Sequence, residues 1–313
     1  MHNLLKYYYK NRLEIWKTIG VIAFVFIIIQ LMNKMVKLQH QQNNAGAVNA
    51  VNNTINNDYS NNGQVKNSII TNSTVQNQES SNNLEIIEKF IDYCNKKNIE
   101  EAYKLIGKDC KERIFPTIDD FYNNYYKNIF TETKSYKLEN WYSYNGKVTY
   151  KVKIKKDIMS TGQVNSGYIE DYFTVLREDK ELKININEFI YKENINKTAN
   201  QNEIEVNIIS RYFYINSEQY TIKITNNRKE KIIIDPKENT DDIFVKDNNN
   251  VKYIWAASEI SKNNLEIQPG ETKNLELKFL KTYNTVRKTQ SLNFNNIVIN
   301  NEKQEKYKVT INI

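Results

Sequence analysis

The 313-residue chain is long enough for two domains of ordinary size, and its formal net charge of +7 is of the kind found in proteins that bind nucleic acid. Residues 1–37, however, carry six basic and one acidic side chain, whereas residues 84–200 carry twenty and nineteen and residues 201–313 carry seventeen and fifteen. Because the excess lies mainly at the N-terminus, neither later region has the basic surplus of a phosphate-binding protein, and we expect no nucleic-acid partner.

Residues 16–36 are the most apolar stretch of the chain. Their central run IGVIAFVFIIIQLM, extended by apolar residues on both sides, approaches the ~20 residues that cross a bilayer as a helix. The basic residues before it predict a cytoplasmic tail at residues 1–15, and the lack of small residues behind it favours an uncleaved signal anchor. We therefore expect a single-pass cell-membrane protein with extracellular C-terminal domains. The alternative is a buried helix of a soluble domain.

Residues 37–83 are dominated by Asn, Gln, Ser and Thr, with isolated Val and Ile and little charge. Such a stretch buries too little apolar surface to offset the entropy of ordering its backbone. We predict a disordered linker that tethers the later domains. A self-associating Asn/Gln-rich tract is the alternative, although Tyr59 is its single aromatic residue.

Residues 84–200 begin with a helical pattern. The run LEIIEKFIDYCNKK places apolar residues on one helical face, Asn98 with Glu101 suggests the start of a second helix, and Thr117 with Asp120 suggests the start of a third.

A pattern of period two follows these helices, in which Val148, Tyr150, Val152 and Ile154 alternate with polar residues. The turn signal at 145–146 predicts a hairpin of residues 136–144 with this strand, and further strands are predicted at 168–176 and 182–190. The order is therefore three helices and then an antiparallel sheet.

The segments EEAYKLIGKDCKERIFPTIDDFYNNYY and KVTYKVKIKKDI, in this order of helices and strands, resemble the nuclear transport factor 2-like cone fold. Bitopic assembly proteins of type IV secretion and conjugation machines have such a domain outside the membrane, as do envelope proteins of Gram-positive bacteria. The resemblance covers about a third of the chain without a diagnostic motif, so it implies a fold and leaves the function open.

No catalytic constellation is recognisable, because the two histidines, His2 and His40, lie outside the predicted domains. Asp157, Glu170 and Asp171 are candidate acid–base residues by position, and the alternative is ordinary solvated carboxylates. Four aromatic residues could line a ligand cleft at the mouth of the cone or could belong to its core; they are Tyr122, Tyr125, Tyr126 and Trp141. We expect no cofactor and no enzymatic activity.

Cys94 and Cys110 are the two cysteines of the chain. If they are exported they could pair and clamp two neighbouring helical segments, and the alternative is two buried free thiols. Two cysteines without a histidine do not complete a zinc site, so we expect no metal.

Residues 201–313 contain eight short alternating runs separated by turn residues, which predicts an antiparallel β-sandwich. The segment LEIQPGETKNLELKF, with a Pro-Gly turn before an alternating strand, resembles extracellular immunoglobulin-like domains. Asp241, Asp242 and Asp247 do not form a calcium-loop motif, and we interpret them as turn residues.

The predicted fold class is thus α+β followed by all-β: a transmembrane helix at 16–36, a linker at 37–83, a cone domain at 84–200 and a sandwich at 201–313. We expect a membrane-anchored extracytoplasmic interaction or assembly protein of a low-GC Gram-positive bacterium, within a secretion, conjugation or other envelope complex. Its expected partners are the membrane and envelope proteins, with homo-oligomerisation left open. The alternative is a sensor of small molecules or cell-wall ligands, or an enzyme, that uses the cavity of the cone.

Overall fold

The structure, a computed structural model, describes residues 54–59, 65–69, 78–155, 167–234, 242–257, 265–299 and 302–313. The chain divides into two compact units, residues 1–49 and residues 50–313, and all described residues belong to the second.

A layer of helices covers one side of the first sheet. Its elements are α1 Gln78–Asn95, α2 Ile99–Leu105, α3 Lys108–Ile114, α4 Ile118–Phe121, a π-helical turn Tyr122–Tyr126 and α5 Lys127–Ile129. The predicted helix start at Thr117 is confirmed at α4, where Thr117 and Asp120 form a capping box by bonding each other's backbone N–H groups. At α2, by contrast, Asn98 is the N-cap residue but makes no side-chain capping bond.

The first sheet is antiparallel, in the strand order β2-β1-β3-β4-β5-β6. Its strands are β1 Thr54–Tyr59, β2 Val65–Ile69, β3 Tyr136–Tyr144, β4 Lys147–Lys155, β5 Tyr168–Glu178 and β6 Glu181–Asn185. The predicted β3–β4 hairpin is confirmed, and its turn residues Asn145 and Gly146 have φ values of 48° and 70°. Such left-handed values are those of a type I′ turn, which Asn-Gly favours.

Two further sheets enclose a second core. The second sheet has the order β14-β9-β8-β7, and the third has the order β12-β11-β15-β10-β13, with β16 also paired to β15. Their strands are β7 Phe189–Gln201, β8 Ile204–Tyr214, β9 Glu218–Asn226, β10 Ile232–Ile233, β11 Ile243–Asp247, β12 Lys252–Ile254, β13 Glu266–Ile267, β14 Thr272–Phe279, β15 Thr289–Ile299 and β16 Glu302–Asn312. Each of the eight predicted runs overlaps one of these strands.

Two apolar cores follow from the alternation of side chains in these strands. The first core joins α1 and the π-helical turn to the first sheet and includes Phe90, Phe121 and Phe173. The second core lies between the second and third sheets and includes Ile222, Leu277 and Phe294. The predicted boundary between residues 200 and 201 falls at the end of β7, and the division into two domains stays a prediction.

The predicted fold class is wrong because it underestimates the share of strand, and its disordered linker and its transmembrane helix are also corrected. The described structure is mostly strand, 53% against 20% helix. Strands β1 and β2 lie within the predicted disordered linker, where β1 pairs with the edge strand β3 and with β2. Backbone pairing of this kind orders a segment whose composition offers little apolar surface, because the ladder satisfies its N–H and C=O groups.

The predicted transmembrane signal anchor is also corrected. None of the helices in the described part of the chain combines the length and the apolar character needed to cross a membrane. Residues 16–36, on which the prediction rested, lie outside the described residues.

The predicted strand 182–190 is wrong as a single element, because it breaks into β6 and β7 at residues 186–188. Asn187 and Glu188 have φ values of 58° and 62°, which place both in the left-handed region and reverse the chain. This break directs β7 away from the first sheet and into pairing with β8.

Candidate functional site

A cavity of about 190 Å³ lies where the β3–β4 turn meets β7, β8, the start of β9 and the segment that joins β14 to β15. We call it the junction cavity. It is lined by side chains from both cores' strands, and charged and aromatic residues predominate among them.

The floor of the junction cavity contains a buried carboxylate, Glu218, which is 1% exposed. Its Oε1 atom accepts a hydrogen bond of 2.6 Å from Nζ of Lys281, a side chain that is equally buried. Its Oε2 atom accepts bonds from the hydroxyl groups of Thr289 and Tyr220 at 2.7 Å and 2.8 Å. A buried charge is tolerated when it is paired and hydrogen-bonded in this way.

Arg211 connects this carboxylate to a second one. Its Nη2 atom lies 2.5 Å from Oε2 of Glu193, and its Nη1 atom lies 3.9 Å from Oε2 of Glu218. Burial disfavours the charged guanidinium, but Tyr220, Glu218 and Glu193 together favour it more strongly, so the pKa of Arg211 is raised. The guanidinium carbon also lies 4.5 Å from the centre of the Phe213 ring.

Aromatic rings form one wall of the cavity. Tyr191 stacks on Phe213 with ring centres 4.4 Å apart, and Tyr283 meets both rings edge-on. Tyr142 packs against Tyr283 and donates a hydrogen bond to Thr285. Burial raises the pKa of Tyr191 to about 12, so its phenol stays protonated at neutral pH.

Two lysines also line the cavity. Nζ of Lys147 lies 4.7 Å from the centre of the Tyr191 ring, and Nζ of Lys288 donates a hydrogen bond of 3.1 Å to the Tyr144 hydroxyl. The nearby ammonium of Lys288 lowers the pKa of Tyr144. Among the residues that the structure describes, no carboxylate lies within ion-pair distance of either lysine.

The sequence analysis missed Glu218 and Lys281, although the strand pattern contains a signal for both. Glu218 shares the inward face of β9 with Tyr220 and Ile222, and Lys281 continues the inward alternation of β14 through Phe279. The alternation indicates that each charged residue is buried, but it does not identify the partner, because the two residues are 63 positions apart in the chain.

The four aromatic residues proposed as a cleft do not form one, because three lie in or on the first core and Trp141 lies elsewhere. Tyr125 and Tyr126 are 3% and 6% exposed and belong to the first core, and Tyr122 stacks on Tyr126 at its surface with 42% exposure. Trp141 lies in a separate cluster, where it packs against Tyr142 and Tyr172.

The three carboxylates proposed for acid–base chemistry lie in different surroundings. Asp157 lies outside the described residues, and Glu170 forms a partly exposed ion pair of 2.8 Å with Lys151. Asp171 is 5% exposed and accepts a hydrogen bond of 2.6 Å from the hydroxyl of Tyr125.

The backbone N–H groups of residues 172, 187 and 188 also bond Asp171, at 2.7 to 3.2 Å. Burial raises the pKa of Asp171, and these four bonds oppose the rise. Because the bonds reach the turn between β6 and β7, we assign Asp171 a structural role.

Cys94 and Cys110 are free and buried in the structure, which is one of the two alternatives left open by the sequence. Burial raises the pKa of both thiols, that of Cys110 to about 12. A thiol in such surroundings is a poor nucleophile, because the thiolate is the reactive form.

The acidic residues near β11 serve the fold. Asp247 accepts hydrogen bonds from the Tyr253 hydroxyl and from the backbone of residues 249 and 251, and Asp242 accepts one from the side chain of Asn296. Asp241 lies outside the described residues. Within the described ranges, no group of three or more His, Cys, Asp or Glu side chains is placed to hold a metal ion.

A second candidate surface lies on the outer side of β11, β12 and the end of β14. Trp255 forms an isolated bridge with Phe279, and both side chains are buried. Since side chains alternate along a strand, the flanking residues Ile254 and Leu280 lie opposite each other on the outer side, 44% and 67% exposed. Lys278 shares this side.

Lys246 and Lys252 adjoin this apolar pair and lie directly opposite each other in the β11–β12 register. Both approach the ring of Phe244, with Nζ atoms 5.8 Å and 4.4 Å from its centre. We call the set Lys246, Lys252, Ile254, Lys278 and Leu280 the lysine face.

Comparisons with known proteins do not assign the chain. No protein-family model matches it, and no curated protein matches it. A crystal structure of a conserved hypothetical protein from Bacillus anthracis is similar at 15% sequence identity over 39% of this chain and 96% of that one, with a TM-score of 0.25. A TM-score of this size supports no statement about fold or function, and the two fold resemblances drawn from the sequence stay predictions.

Proposed function

We propose that the protein is a non-catalytic interaction or assembly protein, which binds an acidic surface of a partner protein through its lysine face. The observation that carries this proposal is the pairing of an exposed aliphatic contact, Ile254 with Leu280, with lysines that have no carboxylate partner among the described residues. The proposal does not use the predicted membrane anchor.

The charges of the lysine face support an acidic partner. Like charges placed directly opposite each other on a strand pair are destabilising, by an amount on the scale of roughly 0.2–1 kcal/mol for cross-strand pairs. Lys246 and Lys252 are such a pair. The acidic residue near Lys278 on β14 is Glu276, and it already binds Arg113 and Thr221 at 2.5 Å and 2.6 Å. Carboxylates from outside would therefore relieve a repulsion that the chain leaves in place.

The apolar part of the face supports a protein as the partner. A single exposed aliphatic residue is ordinary on a protein surface, but Leu280 and Ile254 adjoin each other and are both ringed by charge. Interfaces commonly combine an apolar centre with a polar rim. The lysine face has this arrangement.

The buried carboxylates support a non-catalytic role. Asp171 and Glu218 each accept three or more hydrogen bonds from the protein itself. The interior of the predicted cone is filled by its own rings, with Phe121, Tyr125 and Phe130 all buried. We therefore do not propose a ligand or a reaction inside the first core.

The test is site-specific crosslinking in cells that produce the full chain. A photoreactive residue at Leu280 is expected to capture a defined partner protein, whereas the same residue at Lys180, an exposed turn position, is expected not to. The purified partner should bind more weakly as salt concentration rises. The double variant Lys252→Glu/Lys278→Glu should weaken binding at least about tenfold. The single variant Lys180→Glu should leave it unchanged.

Three results would overturn the proposal. Capture of the same protein from position 180 would show that contact at Leu280 is not specific. Capture of a second copy of this chain would assign the face to self-association. Binding of the purified protein to vesicles of anionic lipid, lost in the Lys252→Glu/Lys278→Glu variant, would assign the face to a membrane surface.

A further inference from the structure

We propose that the junction cavity binds a small anion that carries a phosphate or carboxylate group, held between Lys147 and Lys288. The inference is independent of the proposed function, because it concerns different lysines on a different part of the molecule. It rests on the charge balance of the cavity, its size and the donors that line it.

The charges of the floor cancel, and those of the rim do not. Arg211 and Lys281 are matched by Glu193 and Glu218, with all four side chains joined by contacts of 2.5 to 3.9 Å. Lys147 and Lys288 also line the cavity and have no carboxylate within ion-pair distance in the described structure. The cavity therefore has two surplus positive charges, which an anion would neutralise.

The two carboxylates that line the cavity are already bonded by groups of the chain itself. Both oxygens of Glu218 already accept bonds from Lys281, Thr289 and Tyr220. Glu193 is engaged by two nitrogens of Arg211. Each carboxylate is thus already paired with a cation of the chain itself, whereas Lys147 and Lys288 are not paired with a carboxylate in the described structure, so the arrangement favours an anion.

The neutral groups around the rim suit an oxyanion. The side chains of Tyr144, Asn145, Asn284 and Thr285 line the cavity and offer hydrogen-bond donors. The oxygen of Asn284 is already used, because it accepts bonds from the backbone of residues 286 and 287, which leaves the amide hydrogens for another acceptor. Charge-assisted bonds of this kind are stronger than bonds between neutral groups.

The dimensions of the cavity restrict the ligand. Its volume of about 190 Å³ is below the roughly 300–1,000 Å³ of sites for drug-sized ligands. The wall is fixed by the packing of Tyr191, Phe213 and Tyr283 and by the bond between Tyr142 and Thr285. The site is thus preformed and admits an ion or a compact organic anion.

Isothermal titration of the full chain tests this inference, with inorganic phosphate and succinate as separate probes and chloride as the background ion. We expect saturable binding of at least one probe in the millimolar range or tighter. Lys147→Gln and Lys288→Gln should each weaken it about tenfold, equivalent to about 1.4 kcal/mol. Lys180→Gln should not affect it, and Lys147→Arg should retain most of it, because the charge is kept.

Thermal unfolding of each variant without the anion shows whether it is folded. The inference is overturned if neither probe binds the folded wild-type chain. It is also overturned if Lys147→Gln and Lys288→Gln bind as tightly as the wild type, or if Lys180→Gln is weakened equally, since that result would indicate general attraction to the positive chain. Binding of phosphate alone would assign the site to phosphate groups, and binding of succinate alone would assign it to carboxylates.

Discussion

Asp171 in the first core and Glu218 beside the second core are both buried carboxylates, and they are compensated in different ways. Asp171 in the first core accepts its bonds from a phenol and three backbone N–H groups, all of them neutral. Glu218, beside the second core, is bonded by the ammonium of Lys281 and by two hydroxyl groups, with Arg211 close by. Neutral donors fix a turn of the backbone, whereas cations build a charged floor on which a polar cavity can form.

The two carboxylates also differ in how many elements of the fold supply their hydrogen-bond partners. The donors to Asp171 include the two turn residues whose backbone is left-handed, Asn187 and Glu188, so the carboxylate and the strand break belong together. The partners of Glu218 come from β8, β9 and the segment up to β15, so its burial depends on the assembly of two sheets. Loss of one partner should therefore have a different cost in each core.

The largest expected effect is that of Lys281→Met, which leaves Glu218 buried without its principal cation. Breaking a buried ion pair in this way costs about 3–5 kcal/mol of the free energy of unfolding, because the remaining charge is uncompensated. Urea unfolding monitored by circular dichroism measures the change.

Two controls sharpen this prediction. The double variant Lys281→Met/Glu218→Gln should recover part of the loss, because it removes the unpaired charge as well. Lys104→Met breaks a pair of the same length, 2.6 Å, but Lys104 is 68% exposed, and its loss should be small by comparison. Equal losses for Lys281→Met and Lys104→Met would contradict the role of burial.

The next effect is that of Asp171→Asn, which keeps the shape of the side chain but replaces one accepting oxygen with a donor. At least one of the four donors then lacks an acceptor, which costs about 1–3 kcal/mol. Hydrogen exchange at residues 187 and 188 should accelerate more than exchange in β14, which the variant does not touch. Uniform acceleration throughout the chain would show that Asp171 does not act on the turn.

The strands and turns were the part of the structure that the sequence could predict. Alternation in residues 148–154 and the Asn145-Gly146 turn each determine local geometry, and both were confirmed. The strands of the supposed linker could not be predicted, since they depend on pairing with β3, about 80 residues further along the chain. The composition of a segment shows how much apolar surface the segment can bury, but it does not show with which edge strand the segment can pair.

The candidate sites were less predictable for the same reason. The junction cavity combines Lys147, Glu218 and Lys288 from three distant parts of the chain. Asp171 was recognised by its position beside a strand, but its burial and its four donors follow from the break at 186–188, which the pattern of residues 182–190 conceals. A charged residue on an inward face is a better signal than a charged residue beside a strand, because the alternation itself indicates burial.

A smaller effect is expected from pH. The pKa of Asp171 is raised above its ordinary value of 3.8, so the folded state binds the proton more tightly than the unfolded state does. The stability contributed by this group is therefore fully present below the unfolded pKa and is lost as pH rises through the folded pKa. Since Asp171→Asn cannot titrate, the wild type should gain stability relative to the variant as pH falls from neutral towards 4. If the difference in free energy of unfolding between wild type and variant narrowed over this range, the hydrogen bonds to Asp171 would affect its pKa more than its burial does.

The smallest effect is expected in the chemical labelling of the two cysteines, because the folded first core should exclude thiol reagents. Burial raises the pKa of Cys110 to about 12 and raises that of Cys94 as well, so both thiolates are rare at pH 8. A thiol-reactive probe should therefore label the native protein hardly at all and label both cysteines after unfolding in urea without a reductant. Lys281→Met should leave native labelling almost unchanged, because it disturbs the second core, whereas Asp171→Asn should increase it at Cys110. If the unfolded protein showed no free thiol, Cys94 and Cys110 would form a disulfide bond. That bond would then contribute to the stability of the first core.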